Sequence, residues 1–303
     1  MRPGATFDGK LHLAVPAGKG VNTARSLHAL CAPSLRIVTA IWAGAGDADF
    51  FKSRLREAGI ECAVCPRSVP TRRAHTFLEA TGRETHIKET MPAPSAAEQR
   101  ALLQFCNKAF RAGDIVAVCG SAPAGTPLSM LRRIFKTARK CGAGLILADT
   151  NGAALTAAGA AGVDILKGNA AEIGAWLQCS APFDSANTRH LRSLRSALLR
   201  HNAPEKIVIT LGAAGVMLAS KHELLRCALR EKIDPHDIVS VTGCGDAATA
   251  GILWSLLLRE NSSQALLARA AACGAVKLFS ADPGKLSLKS VQHFVRYCES
   301  KRY

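Results

Sequence analysis

The sequence predicts an α/β fold: a mostly parallel sheet held between two layers of helices, with a small β lid. Three observations point there. Short runs rich in β-branched residues alternate with helix-like stretches along the chain, and such alternation builds βαβ units. Strand candidates such as IVAVC and LILA are apolar at every position, so both sheet faces must be covered. Only residues 71–90, TRRAHTFLEATGRETHIKET, mix polar and apolar positions, around Thr81-Gly82. That is the pattern of a hairpin with a wet face.

The elements follow in order. Lys10–Val15 is strand-like, and with residues 71–90 it is expected to form the lid, over approximately 10–16 and 71–90. Helical spacing and propensity predict Val21–Leu30, Phe50–Ala58, Glu98–Phe110, Ser129–Cys141 and Ser185–Arg200 as helices. Apolar β-rich runs predict strands at Arg36–Ala40, Ile115–Cys119, Leu145–Ala148, Ile165–Leu166 and Lys206–Leu211. The run AATAGILWSLLL, Ala247–Leu258, carries no charge and predicts a buried helix. No internal repeat or long low-complexity linker interrupts the 303 residues, so one domain is expected.

Composition excludes several classes. Hydrophobic residues make up 48% and no stretch reaches the length of a membrane span. The first twenty residues lack the apolar core of a signal peptide. A cytoplasmic protein is expected, with no membrane partner. The eleven cysteines are scattered, and Cys62 and Cys65 in CAVC have no second pair to complete a zinc site, so free thiols are expected. The formal charge is +16, but the basic residues are dispersed and aromatics are only 5%. Base-stacking platforms are therefore scarce. Nucleic acid is not an expected partner, whereas small anionic substrates suit the charge.

Four glycine-rich or polar stretches carry candidate chemistry. Gly243-Cys244-Gly245-Asp246 opens the apolar helix, so three backbone amides face one point where a phosphoryl group can sit. Asp246 is placed to orient an attacking hydroxyl and take its proton, or simply to cap the helix. Gly18-Lys19-Gly20-Val21-Asn22 opens an earlier helix. It matches neither a Walker loop nor the dinucleotide fingerprint, yet Lys19 and Asn22 can meet an anion and sugar hydroxyls. In Lys167-Gly168-Asn169-Ala170-Ala171-Glu172, Asn169 and Glu172 share a helical face. They suit Mg²⁺ held largely through water, or an ordinary first turn. Thr210-Leu211-Gly212-Ala213-Ala214-Gly215 follows a strand; it lets a nucleotide approach the backbone, or turns into another strand.

Taken together and in this order, GKGVNTA, KGNAAEI, TLGAAG and GCGDAATAG resemble the ribokinase-like (PfkB) carbohydrate kinases. VCGSAPAGTP is similar to the family's GSLPPG segment, DTNGAAL to its D-[ST]-S-G-x-x-L, and ARAAACGAVKLFSADPG to its alanine-rich helix and PG turn. The resemblance spans about residues 11–285, and GxGD with NxxE is its specific part.

The resemblance implies a three-layer α/β/α sandwich with a β lid, through which two copies pair. It implies ATP-dependent transfer to a sugar hydroxyl, with Asp246 as base and Gly243, Cys244 and Gly245 as the anion hole. Lys167, Asn169, Glu172, Thr210, Gly212, Gly215 and Thr242 fall on the ATP side, with Asn169 and Glu172 organising Mg²⁺ and a monovalent cation possible near Asp237–Thr242. Gly18, Lys19, Gly20, Asn22 and Ser121 fall on the sugar side. Thr71-Arg72 matches the phosphosugar branch, where arginine grips the phosphate already on the substrate with two parallel hydrogen bonds. A ketohexose phosphate, of the 1-phosphofructokinase or tagatose-6-phosphate kinase type, is therefore the expected substrate. The alternatives are a ribokinase- or nucleoside-type kinase and a non-catalytic binding protein.

One departure stands out. The family's opening strand and its N-P-x-x-D-like stretch have no counterpart in MRPGATFDGK, where Asp8 lies in a different context. A missing inner strand is expected to leave neighbouring edges uncovered and to reduce stability and activity. Gly168 also replaces the proline of the family's KPN, and Cys244 its usual alanine or serine.

Overall fold

The computed structural model describes residues 9–31, 35–79, 83–260 and 262–303, so Asp8 and the Thr81-Gly82 turn lie outside it. The first elements are α1 (Lys19–Leu30), β1 (Val38–Gly44), α2 (Ala48–Glu57) and β2 (Glu61–Arg67). A hairpin follows, β3 (Ala74–Leu78) and β4 (Glu84–Lys88), then α3 (Ala96–Ala109), β5 (Ile115–Cys119), α4 (Leu128–Lys140) and β6 (Leu145–Asp149). Next come α5 (Gly152–Gly159), β7 (Ile165–Asn169), α6 (Ala170–Trp176), α7 (Thr188–Leu198) and β8 (Lys206–Thr210). The chain closes with β9 (Val216–Ser220), β10 (Leu224–Leu229), α8 (Cys244–Leu257), α9 (Ser263–Lys277), α10 (Leu288–Val295) and β11 (Cys298–Arg302).

Seven strands form the main sheet in the order β11-β10-β9-β8-β7-β6-β5. Pairing is parallel from β5 to β8 and antiparallel from β8 to β11. The switch comes where tight turns replace crossover helices. Leu211–Gly215 folds back on itself through Leu211 N–H to the Gly215 carbonyl, 2.8 Å, and Ser220 Oγ accepts from His222 and Glu223 to close the next turn.

The apolar strands divide their side chains between two cores, as alternation requires. Val208 joins α1, α8 and α9 on one face, while Ile207 and Ile209 join α4, α5, α6 and α7 on the other. At roughly 25 cal/mol per Å² of apolar surface, each fully buried Ile or Leu contributes about 1.5–3 kcal/mol. This is the α/β/α sandwich expected from the all-apolar strands. Among the described residues, no helix is long and apolar enough to cross a membrane, and all eleven cysteines are free.

Two expectations change. Lys10–Val15 forms no strand: Lys10–Ala14 is exposed and pairs with no strand among the described residues, where the lid consists of the β3–β4 hairpin. The alternating pattern there is a local one, and alternation without a partner ladder makes no strand. The strand expected at Arg36–Ala40 starts and ends later, and it pairs in parallel with β2 as a separate two-stranded sheet. Between β1 and β5 opens a cleft of about 2880 Å³, lined by every residue of 35–42 and of 113–121. A strand face would show alternate residues, so both strands turn their edges to this cleft. Trp42 also lines it, and its buried Nε1 has no hydrogen-bond partner among the described residues.

Candidate active site

The cleft continues to the carboxyl ends of β5, β6 and β7, where parallel sheets place their ligands. Glycine makes the entrance to α8 possible. Gly243 caps the helix in the left-handed region, φ 90°, and a Cβ there would stand 2.5 Å from the Pro283 carbonyl. Any side chain is thus excluded twice over. The amides of Gly243 and Gly245 have no partner among the described residues, and that of Cys244 leans on the Val241 carbonyl at 3.3 Å. These donors lie at the positive end of a 14-residue helix.

Asp246 follows in the first turn, 7% exposed. Asn22 Nδ2 donates to its Oδ2 at 2.7 Å, from the first turn of α1. Burial pushes the carboxyl up to about 6, and neighbouring Asp149 adds to the rise, while Asn22, Lys167 and Lys19 oppose it. A carboxylate that titrates just below neutrality is suited to accept a proton at pH 7.

A second buried acid, Asp149 at the end of β6, joins the motifs. Its Oδ2 accepts from Lys167 Nζ at 3.0 Å and Thr249 Oγ1 at 2.6 Å, and its Oδ1 faces Lys19 Nζ at 3.1 Å. Burial works against its charge, but Lys167 and Lys19 hold its pKa below the usual carboxylate value. An unpaired charge this deep costs roughly several kcal/mol, so the two lysines keep Asp149 ionised. Lys167 also donates to the Gly245 carbonyl at 3.0 Å, which ties β7 to the anion-hole turn.

Asn169 and Glu172 form a reciprocal capping box on α6, with Glu172 N–H to Asn169 Oδ1 at 2.9 Å and Asn169 N–H to Glu172 Oε2 at 2.8 Å. Glu172 Oε1 also faces Lys19 at 3.4 Å. Thr210 pairs opposite Asn169 at the end of β8. The lid reaches the same place: Glu84 of β4 accepts from Val241 N–H at 2.8 Å and from Thr242 Oγ1 at 3.3 Å. At the lid base, Thr71 is fixed by Gly44 N–H to its Oγ1 at 2.9 Å and by its own N–H to Asp47 at 3.1 Å. Arg72 beside it is exposed, lines the cleft and makes no ion pair among the described residues.

The cleft therefore gathers Gly18, Lys19, Gly20, Asn22, Arg72, Ser121, Lys167, Asn169, Glu172, Thr210, Thr242, Gly243, Gly245 and Asp246. Three sequence candidates do not line it. They are Cys244, Gly212 and Gly215, the last of which packs against β10, where a Cβ would meet the Cys227 carbonyl. Sequence reasoning missed Asp149 and Thr249, which are fully buried behind the cleft and hold Lys167 and Lys19 in place. The signal for the first lay in DTNGAAL, whose aspartate ends an apolar strand. Thr249 gave none, since it sits among alanines.

A three-layer sandwich, a helix-mouth carboxylate, unpartnered amides beside it and two lysines on a buried aspartate are the parts of a phosphotransferase with an alcohol as acceptor. The pfkB family carbohydrate kinase model matches residues 13–288. This chain belongs to that family, for which ATP is the expected co-substrate. It is 30% identical over 249 residues to the ATP-dependent 6-phosphofructokinase isozyme 2 of Mycobacterium tuberculosis H37Rv, covering 80% of this chain and 70% of that protein. It is also 30% identical over 289 residues to the 1-phosphofructokinase of Rhodobacter capsulatus, covering 90% and 85%. The fold is similar to that of Escherichia coli phosphofructokinase-2 in complex with fructose-6-phosphate, with a TM-score of 0.83, 21% identity and coverage of 98% and 92%.

Proposed function

We propose that the protein transfers the γ-phosphoryl group of ATP to a hydroxyl of a ketohexose phosphate. The observation that carries this reading is Asp246, buried at the cleft and oriented by Asn22, beside the free amides of Gly243 and Gly245. The acceptor hydroxyl docks against Asp246 and its oxygen bonds to the γ-phosphorus. The bond from that phosphorus to the bridging oxygen breaks, ADP departs, and the hydroxyl proton passes to Asp246 late in the reaction. Amides aimed at the migrating group stabilise its charge without reorganising. Arg72, which has no carboxylate partner among the described residues, receives the phosphate already on the sugar.

Mg²⁺ fits the Asn169–Glu172 pair in one way. Asn169 Oδ1 and Glu172 Oε2 each already accept a backbone hydrogen bond, and Glu172 Oε1 faces Lys19, so the pair suits an ion that keeps its water and meets few protein ligands. When bound, Mg²⁺ neutralises phosphate charge on ATP.

Turnover with ATP on fructose 1-phosphate, fructose 6-phosphate, tagatose 6-phosphate, fructose, ribose and adenosine tests the reading. One ketohexose phosphate is expected to exceed every unphosphorylated acceptor in kcat/KM by about 10²-fold or more. Preference for ribose or adenosine would defeat the assignment of Arg72, and no turnover on any would make this a binding protein.

The lid carries Phe77 and Ile87 exposed at 41% and 51%, which supports pairing of two copies through this hairpin. Sedimentation at micromolar concentration is expected to show a dimer that Phe77→Asp converts to monomer. A monomeric wild type would end that part of the reading.

A further inference from the structure

Lys277 is the last residue of α9 and is buried completely, 0% exposed. No step assigned above uses it. A buried ammonium needs acceptors, and here Nζ donates to the Ser280 carbonyl at 2.6 Å. The position also sits at the carboxyl end of a helix, where a cation is favoured.

Its direction is set by Gly274, one turn earlier on α9. A Cβ on Gly274 would lie 3.4 Å from the Cys244 carbonyl, and residues three apart share a helix face. Lys277 therefore points toward the first turn of α8. The charges it feels agree: burial lowers its pKa, while Cys244, Glu84, Asp282 and Asp246 raise it in part.

The loop held by Lys277 touches the segment before Asp246 at both ends. The Leu278 carbonyl accepts from Val239 and Ser240 N–H at 2.8 and 3.2 Å. The Pro283 carbonyl abuts Gly243. Arg25 clamps Asp282 of the same loop at 2.9 and 2.6 Å, and Asp282 N–H returns to Ser280 Oγ at 3.1 Å. Of the two side-chain cations that hold this brace, Arg25 and Lys277, Lys277 is the one buried completely.

We propose that Lys277 is a positioning residue: its buried ammonium, seated on the Ser280 carbonyl, is a built-in cation that fixes the loop 278–284 and through it the amides of Gly243 to Gly245. This rests on the kinase reading of those amides. On this proposal the amides need no separate ion at that point.

Lys277→Met keeps the length and removes the charge. Expected is a fall in kcat of about 10-fold or more, with KM for ATP and sugar phosphate within about 3-fold of wild type. Ammonium or methylammonium at tens of millimolar should restore much of the loss, and tetramethylammonium at equal ionic strength should not. Wild type should respond to none of them. Unchanged kcat, a loss that no small cation rescues, or a wild type that itself requires ammonium or potassium would each overturn the proposal. Binding of ADP with aluminium fluoride, a mimic of the migrating group, reads the same amides without turnover. The variant should lose affinity for that pair and keep it for ADP alone, and equal affinity for both would overturn the proposal. Absence of wild-type turnover would count against the kinase reading only. If Lys277→Met fails to fold, the wild-type cation response and a Lys277→Arg variant, expected to stay active without ammonium, decide the matter.

Discussion

Asp246→Asn is expected to lower kcat by roughly 10²–10⁴-fold, the range that a positioned base contributes, while ATP still binds. Asparagine keeps the shape and a hydrogen bond to Asn22 but cannot take the acceptor's proton. The pH dependence has a definite sign. Since the folded carboxyl titrates at about 6, kcat/KM for wild type should fall tenfold per unit below that value and level off above it. Stability moves the other way. The pKa is raised on folding, from an ordinary 3.8, so the folded state holds this proton more tightly than the unfolded chain. The resulting stabilisation is present at low pH and is lost as pH rises through 6. At pH 7.5 the ionised carboxylate costs stability, and Asp246→Asn should melt higher than wild type by a few degrees. Kinetics and thermal unfolding on one preparation check both. A variant keeping a tenth of wild-type turnover would remove Asp246 from the reaction.

Arg72→Ala should raise KM for the sugar phosphate by about 30-fold or more and leave KM for ATP within about 3-fold. Truncating one partner of a hydrogen-bonded charge pair that binding buries costs about 2–5 kcal/mol, and Arg72 has no other ion-pair partner among the described residues. Because it is exposed and unpaired, the melting temperature should barely move. Arg72→Lys should recover part of the affinity, since a lysine supplies the charge without the planar fork. Initial-rate measurements varying each substrate in turn separate these effects. Equal losses for ATP and sugar phosphate would place Arg72 elsewhere in the chemistry.

Much of the molecule was readable because it depends on short windows. The helix after Gly243 was legible from twelve uncharged residues behind two glycines, and it runs to Leu257. The strands at Ile115, Leu145 and Lys206 declared themselves by continuous apolar runs. Helix starts moved by one to three residues where caps decided them: Ser95 and Glu98 close a capping box that begins α3 earlier than its apolar pattern, and Asn187 delays α7. Lys10–Val15 misled because alternation describes a side-chain pattern and not a partner. The TLGAAG stretch shows the same limit. Its glycines read equally as a nucleotide turn or a strand reversal, and Gly215 sits against β10.

By itself, the sequence determined the layered α/β architecture, the apolar helix with its glycine mouth, and the residue types available for phosphoryl transfer. Each follows from propensity, periodicity or the steric freedom of glycine within a few positions. Only the tertiary structure decided that Asn22 meets Asp246 across 224 residues, and that Lys19 meets Asp149 across 130. The same holds for the separation of β1 from the main sheet and for the seat of Lys277 behind the anion hole. The reason is physical. Such pairings balance the entropy of closing long loops against the desolvation of buried charges, and neither quantity exists until the chain has folded around them.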